Sequence, residues 1–511
     1  MTDWTEGYVA DIDYVYGYYN ELNPLRHKFA FINQGLASPK ISTACELGFG
    51  QGLSVNIHSA ASNVEWWGTD FNPSQSAFAQ NLGEISGKKV HLSDEAFAEF
   101  CQRTDLPEFD YIGMHGIWTW ISDENRAIIV DFVRRKLKVG GVFYISYNTQ
   151  PGWAAMIPLR KLFVEHSQVM GSQGQGAVAR VDAALDFTEQ LFAVNPAYTR
   201  ANPMVVTRFN EIKKQNRHYL AHEYFNKDWQ PMLIADMAKW LSSSKLDYAC
   251  SANYLNHVDV VNLSDEQKTF LENIKAPIFK ETVRDYITNQ QFRTDYWVKG
   301  RSAVSSFECI ELARQQNVIL TKLRSQVPMK IAGVLGETNL LQHIYDPILD
   351  VLADHRVKTI GEIEEAVKPM GLNIAQVWQA IVMLVANKVV SAAQEINDIT
   401  EAKKRTDIFN LHLLNAAKTS SEIAYLASPV VGGGVSVSRF EQLFLLARLE
   451  GHEHIDQWAD FAYRIIVSQN QRLIKEGQIL STAEENIAEM RQLANIFATE
   501  HLQVLKGLGI A

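Results

Sequence analysis

Over residues 1–150, short apolar runs alternate with segments whose apolar positions recur every three or four residues. ISTACEL (41–47), VEWWGTD (64–70), KVHLS (89–93), FDYIGMHG (109–116) and GVFYISYN (141–148) read as five strands. Between them, 74–82 follows Asn72-Pro73, an N-cap and a first helical position. The helical run RAIIVDFVRRKL (126–137) ends in bases that suit a helix C-terminus. Strand–helix alternation of this kind predicts an α/β core, a parallel sheet with helices on both faces.

Beyond Trp153 the pattern changes. Residues 156–170 and 177–192 read as helices around the break GSQGQG, and NPAYTRANP (195–203) stops helices. HYLAHEYF (218–225) and LDYACSANYL (246–255) read as strand-like pieces around a helix at 231–241, a block that could finish the sheet. From 343 to 393 the order is helix, a short helix capped at Thr359, a turn at 369–371, a third helix from Asn373 and a strand VVSAA, the order of a winged-helix module. The remainder is mainly helical, interrupted by SPVVGGGVSVS (428–438). The resulting division is a core at 1–155, a helical insertion at 156–215, a mixed middle domain at 216–302, a winged-helix-like domain at 303–395 and a helical C-terminal domain at 396–511.

Composition narrows the function classes. The 511 residues are 47% hydrophobic and 21% charged, with net charge −10. That excludes disorder and disulfide scaffolds, and it disfavours general binding to nucleic acid or anionic membranes. Cys45, Cys101, Cys250 and Cys309 form no CxxC and read as reduced, mostly buried thiols. With no signal-peptide pattern and no apolar run of the ~20 residues a membrane helix needs, the expectation is a cytoplasmic protein without membrane insertion. The longest apolar run, AIVMLVANKVV (380–390), reads as a helix turning into a strand.

The strongest chemical signal is CELGFGQG (45–52), which sets Gly48, Gly50 and Gly52 between a strand and a helix. Glycines there let the backbone turn tightly against a ligand. Asp70 ends the next strand, where a carboxylate accepts hydrogen bonds from a ribose. The spacing is GxGxG rather than GxGxxG, and Glu46 just before it would repel a pyrophosphate. A ligand with a cationic amino group fits better, which favours S-adenosylmethionine over NAD, and no GK[ST] follows to make a phosphate loop.

On these residues the first 150 positions resemble class I S-adenosylmethionine-dependent methyltransferases, which have a Rossmann-like core. ELGFGQG matches their first motif, GTD (68–70) their ribose-binding acid, LSDEAF (92–97) the adenine-side loop and KLKVGG (136–141) the turn before the fifth strand. The resemblance implies that Glu46, Gly48, Gly50 and Gly52 surround the methionine part, Asp70 the ribose, Asp94 or Glu95 the adenine amino group, and that His115 lines the pocket near the sulfonium. HGIWTWI (115–121), SYNTQPGW (146–153), HEYFN (222–226) and NQQFRTDYWVKG (289–300) are similar to bacterial methyltransferases carrying a methyltransferase regulatory domain. Their best understood members are rickettsial protein-lysine methyltransferases that modify outer-membrane proteins. The likeness implies a protein substrate methylated on lysine side chains, and a homodimer joined through the helical insertion.

Where many nitrogen methyltransferases carry an Asn/Asp-Pro-Pro-aromatic motif, this chain reads HGIWTW. A planar-amide grip is absent, and a flexible amine such as lysine suits the site. Trp118, Trp120, Tyr144, Tyr147 and Trp153 form a candidate aromatic channel, with Trp118, Tyr147 and Trp153 taken as the catalytic contacts. Tyr14, Tyr16, Tyr18 and Tyr19 either close over the cofactor or form a helix on the sheet, and Tyr14 is counted with the cofactor site. His222-Glu223 reads as structural, and HEH (452–454) as a helix end rather than a metal site. The third helix at 373–388 carries Gln376, Trp378, Gln379 and only Lys388, too few bases for DNA, and reads as a protein-contact face. Two other readings stay open: a small-molecule N- or O-methyltransferase, and a non-catalytic S-adenosylmethionine-binding interaction protein.

Overall fold

The computed structural model describes residues 16–171 and 176–511. Five strands, β1 (Thr43–Leu47), β2 (Glu65–Thr69), β3 (His91–Ser93), β4 (Phe109–Met114) and β5 (Leu137–Asn148), run parallel. The five strands expected within residues 1–150 are all present, and β5 begins at Leu137 rather than Gly141. Two more complete the sheet: β6 (Leu246–Ser251) and β7 (Phe292–Lys299), in the order β3-β2-β1-β4-β5-β7-β6. β7 is antiparallel to both neighbours, pairing Tyr147 with Arg293 and Ile145 with Asp295. Strand order reverses between β1 and β4, and open α/β sheets bind ligands at that crevice.

Helices α1 (His27–Asn33), α2 (Leu53–Ala61), α3 (Pro73–Ile85) and α4 (Asp123–Lys136) belong to this core. Asn72 caps α3 by accepting from Ser74 N, and Ser122 caps α4 by accepting from Asn125 N. Every residue of α2 is buried, polar ones included. Its outer side is covered by the C-terminal region: Gln394 Nε2 donates to Ala61 O (2.8 Å) and Arg405 to Ser62 O (3.0 Å). Asn56 Nδ2 is satisfied by Gly52 O and Ala79 O, both at 2.9 Å.

The insertion forms α5 (Ile157–Val169), α6 (Ala177–Ala193) and α7 (Pro203–Ile212), with a short helix at Ala197–Ala201 inside the segment expected to stop helices. HYLAHEYF, expected as a strand, is instead α8 (Arg217–Tyr224). Asn216 caps it by accepting from His218 N (2.8 Å), and Leu220, Ala221 and Tyr224 bury one helical face against α5 and α6. The cap and the i, i+4 pairing outweigh the apparent alternation. α9 (Ile234–Ser242) and α10 (Pro277–Thr288) then flank β6 and β7.

Farther on, α11 (Gln342–Leu352), α12 (Ile360–Val367) and α13 (Ile374–Ala386) sit beside a small sheet of Asn317–Leu320, Lys358–Thr359 and Val390–Ala392. Thr359 and Glu362 form a capping box on α12. The run 380–390 is the end of α13 turning into its strand. α13 faces inward: Trp378 stacks on Phe29 of α1 (5.5 Å, 11°) and donates to Asn33 Oδ1 (3.1 Å). Trp378, one of the residues expected on a protein-contact face, is thus spent on this chain's own core, while Gln379 is exposed. The helices that follow include α14 (Ile396–Ala416), packed on α2. Among the described residues no single helix is long and apolar enough to cross a membrane.

Candidate functional site

A cavity opens at the carboxyl ends of β1, β2 and β4. At one end β1 runs into the glycine turn, with Gly48, Gly50 and Gly52 at φ of 72°, 59° and 69°. Gly52 is required twice over. Its φ is left-handed, and a Cβ there would overlap Ala79 Cβ on α3. The turn lets α2 and α3 close together and leaves backbone at the cavity wall.

Asp70 follows β2 and points back at the turn. Its Oδ2 accepts from Gly50 N (2.8 Å) and its Oδ1 from Asn72 N (3.1 Å). Burial pushes its pKa up to about 6, and these two bonds act against the rise. Glu46 is buried, with Oε2 lacking a hydrogen-bond partner among the described residues. Desolvation and the nearby Asp70 push it up to about 8. A buried orphan acceptor on a cavity wall is costly unless a donor arrives, and a cationic amine is the complementary donor. Phe71, Gln75, Glu95, Ala96 and Phe97 continue the wall. Glu95 pairs with Arg103 (3.0 Å), whereas Asp94 is exposed and does not line the cavity.

At the centre His115 is held between two rings: Tyr19 stacks on it (4.3 Å, 25°), and Tyr144 Oη lies 2.7 Å from its Nδ1. Burial lowers its pKa to about 4, so the ring is neutral at pH 7. Tyr19 belongs to an extended strap, 16–19, and not to a helix. Tyr14 lies outside the described residues. At the far end stand Trp120, Ile121, His222, Glu223, Asn226 and Asp228.

The three aromatics expected as catalytic contacts do not line this cavity. Trp118 is fully buried, its Nε1 3.4 Å from Met232 Sδ, and Trp120, on the other side of the same turn, reaches the cavity instead. Tyr147 lies on the opposite face of β5 from Tyr144 and Ser146, and donates to Asp295 Oδ2 (2.8 Å). Trp153 packs edge-on to Trp229 (5.2 Å) under the Arg208 guanidinium (4.0 Å), behind the wall. His222 and Glu223, read from sequence as structural, are on the wall. Their signal was hidden by the strand reading of α8, since only a helix turns this face inward.

His454 is the N-cap of the helix Ile455–Ser468, and no cluster of three His, Cys, Asp or Glu side chains able to hold a metal occurs among the described residues.

Comparison with known proteins agrees with this architecture. Residues 216–299 match the model of a predicted methyltransferase regulatory domain, the stretch that contains α8, β6 and β7. The solved structure of PKMT2 from Rickettsia typhi in complex with AdoHcy superposes with a TM-score of 0.72 at 17% identity, covering 97% of this chain and 100% of that one, and shows the same fold. "Uncharacterized protein RP789" of Rickettsia prowazekii is 25% identical over 51% of this chain and 47% of its own length. "Uncharacterized protein sll1526" of Synechocystis is 37% identical over 99% of this chain and 100% of its own length. At that identity and coverage, this chain belongs to the family of the Synechocystis protein and carries a methyltransferase regulatory domain on a Rossmann-like methyltransferase fold.

Proposed function

We propose that the protein is an S-adenosylmethionine-dependent methyltransferase acting on lysine side chains of proteins. The observation that carries the first half is the pairing of the unsatisfied Glu46 with the Gly50–Asp70 clasp in one cavity. Glu46 would take the cofactor's amino group, Asp70 its ribose hydroxyls, and Glu95 with Phe71 and Phe97 its adenine side. When bound, the cofactor supplies a methyl carbon activated by an adjacent sulfonium. The chain's part is to align an amine with that carbon and keep water out.

The lysine reading rests on the far end of the cavity, where aromatic and carboxylate groups stand together (Trp120, Glu223, Asp228) and suit a cation on a slender stem. The resemblance to protein-lysine methyltransferases points the same way, as does a net charge of −10 for a lysine-bearing partner. The helical insertion, with Val169, Met170, Val194 and Met204 exposed, is the proposed dimer contact, which light scattering after gel filtration tests.

The functional test is transfer of labelled methyl from S-adenosylmethionine into a protein lysate, followed by mass spectrometry. The expected product is methyl-lysine. Label confined to small molecules would replace the substrate class, and binding without turnover would favour the interaction-protein reading.

A further inference from the structure

Methyl transfer to lysine needs a neutral amine, and a free lysine side chain titrates near pH ~10.4. Something at the acceptor end must therefore accept a proton. The cavity's acids and bases can be sorted by what already engages them. Glu46 and Asp70 belong to the cofactor end. Glu95 is paired with Arg103. His115 has Nδ1 committed to Tyr144 Oη, and its burial makes it a poor base. Asp228 is shared electrostatically by two guanidiniums, Arg126 and Arg160, and His222, beside Glu223 on α8, is buried and already engaged.

Glu223 is different. It stands on α8, half-buried on the cavity wall that Trp120 and Ile121 also line, on the segment that matches the regulatory domain. The charged and titratable groups acting on it are Arg160 from α5 and, on its own helix, Tyr219 and Tyr224. Arg160 is itself held in place by donation to Asn226 O and by the faces of Trp120 (5.7 Å) and Trp229 (5.0 Å). It stabilises the carboxylate without neutralising it, since desolvation outweighs it and leaves Glu223 pushed up to about 7. A carboxylate so placed is ionised for part of the population at neutral pH, and basic enough to hold a proton.

We propose that Glu223 receives the acceptor ammonium at the far end of the cavity and takes its proton before methyl transfer. This rests on the lysine-methyltransferase reading above. The ammonium gives one proton to a Glu223 carboxylate oxygen, leaving a neutral amine and a carboxylic acid. The amine lone pair then forms the N–C bond to the methyl carbon as the S–C bond breaks, its electron pair remaining on sulfur. The product is a methylammonium and a neutral thioether, and Glu223 returns its proton to solvent through the open cavity. The regulatory-domain segment would thereby supply a working group as well as two strands of the sheet.

The test compares full-length wild type, Glu223→Gln and Glu223→Asp in a protein lysate from cells lacking this protein. Methyl-lysine formation is followed at saturating S-adenosylmethionine from pH 6.5 to 9.5, with cofactor affinity measured separately by calorimetry. Glu223→Gln should be about a hundredfold slower at pH 7. It should recover as pH rises, because solvent then supplies the deprotonated amine. Glu223→Asp should keep part of the rate, and cofactor affinity should stay within threefold in both variants. A Glu223→Gln rate near wild type would overturn this proposal alone. So would a loss that follows the wild-type pH profile, or one accompanied by a matching loss of cofactor affinity, since either marks a structural role. Absence of methyl-lysine from the wild type would overturn the lysine reading and this proposal together.

Discussion

Gly50 N donates to Asp70 Oδ2 across 2.8 Å, so the glycine turn after β1 and the acid after β2 are fastened to each other before any ligand arrives. The same carboxylate is then both a ribose acceptor and a strut of the turn. The proposed cofactor site is preorganised by a bond that survives only while residue 70 can accept.

Asp70→Ala removes the strut and the ribose contact together, and hydrogen bonds to a charged group contribute about 1.5–3 kcal/mol each. Calorimetry should show S-adenosylmethionine affinity falling by on the order of a hundredfold or more. Asp70→Asn keeps an acceptor for Gly50 N and should lose less. Equal affinity in the alanine variant would remove Asp70 from the site.

Glu46 sets the pH dependence. Its folded pKa is raised to about 8, so folding takes up a proton and the group's contribution to stability, full below the ordinary carboxylate range, is lost as pH rises through 8. A cationic ligand favours the ionised form and acts in the opposite sense. Binding at pH 7 should release close to one proton, and affinity should strengthen as pH climbs towards 8. Calorimetry in two buffers of different ionisation heat counts the proton, and Glu46→Gln should abolish most of it. Proton uptake by the wild type would refute the assignment of the amino group to Glu46.

Tyr18 links the cavity to the far end of the chain. Its Oη is 3.0 Å from His58 Nε2 on α2, its ring packs against Tyr425 (5.2 Å), and a Cβ on Gly434 would stand 2.9 Å from that ring. Asn23, beyond the strap, donates to Val431 O (3.0 Å). The hairpin of antiparallel strands Tyr425–Ser428 and Gly433–Ser436 thus fixes the strap whose next residue, Tyr19, covers His115. Gly434→Val should push the strap off. Cofactor affinity should weaken by about tenfold or more, while the melting temperature of the core changes by only a few degrees. A variant with wild-type affinity would show that the strap closes without this contact.

The five parallel strands were legible because each carries its own local signature: β1 to β5 are apolar runs bounded by turns, and the glycine turn falls where β1 meets α2, whereas β7 was not read as a strand. The cofactor end was legible for the same reason, since Glu46, the glycines and Asp70 sit within two adjacent loops. The acceptor end was not. It depends on which side of a strand or turn each aromatic faces, and a shift of one residue on β5 exchanges Tyr147 for Tyr144. It depends as well on α8, brought to the cavity by tertiary packing from far along the chain. The inward turn of Trp378 onto Phe29 is likewise a matter of docking, which periodicity in α13 alone does not reveal.

The two tryptophans of the turn at Trp118–Trp120 separate packing from recognition. Trp118 is fully buried among Met232, Trp240 and the Arg126 guanidinium, whose carbon lies 5.8 Å from its ring. Trp118→Ala should cost about 3–5 kcal/mol of stability through the cavity it leaves. Trp120 is half-buried, with one side on the cavity and Arg160 and Trp229 behind it. Trp120→Ala should leave the melting temperature within a few degrees yet lower the methyl-transfer rate at subsaturating acceptor by about tenfold, the loss of one aromatic contact to a desolvated cation. Thermal melts and initial rates on the two variants check both. If Trp118→Ala were the variant that kept its stability and lost its rate, the sequence-based choice of Trp118 as the substrate contact would be restored and the cavity wall assigned to the wrong side of the turn.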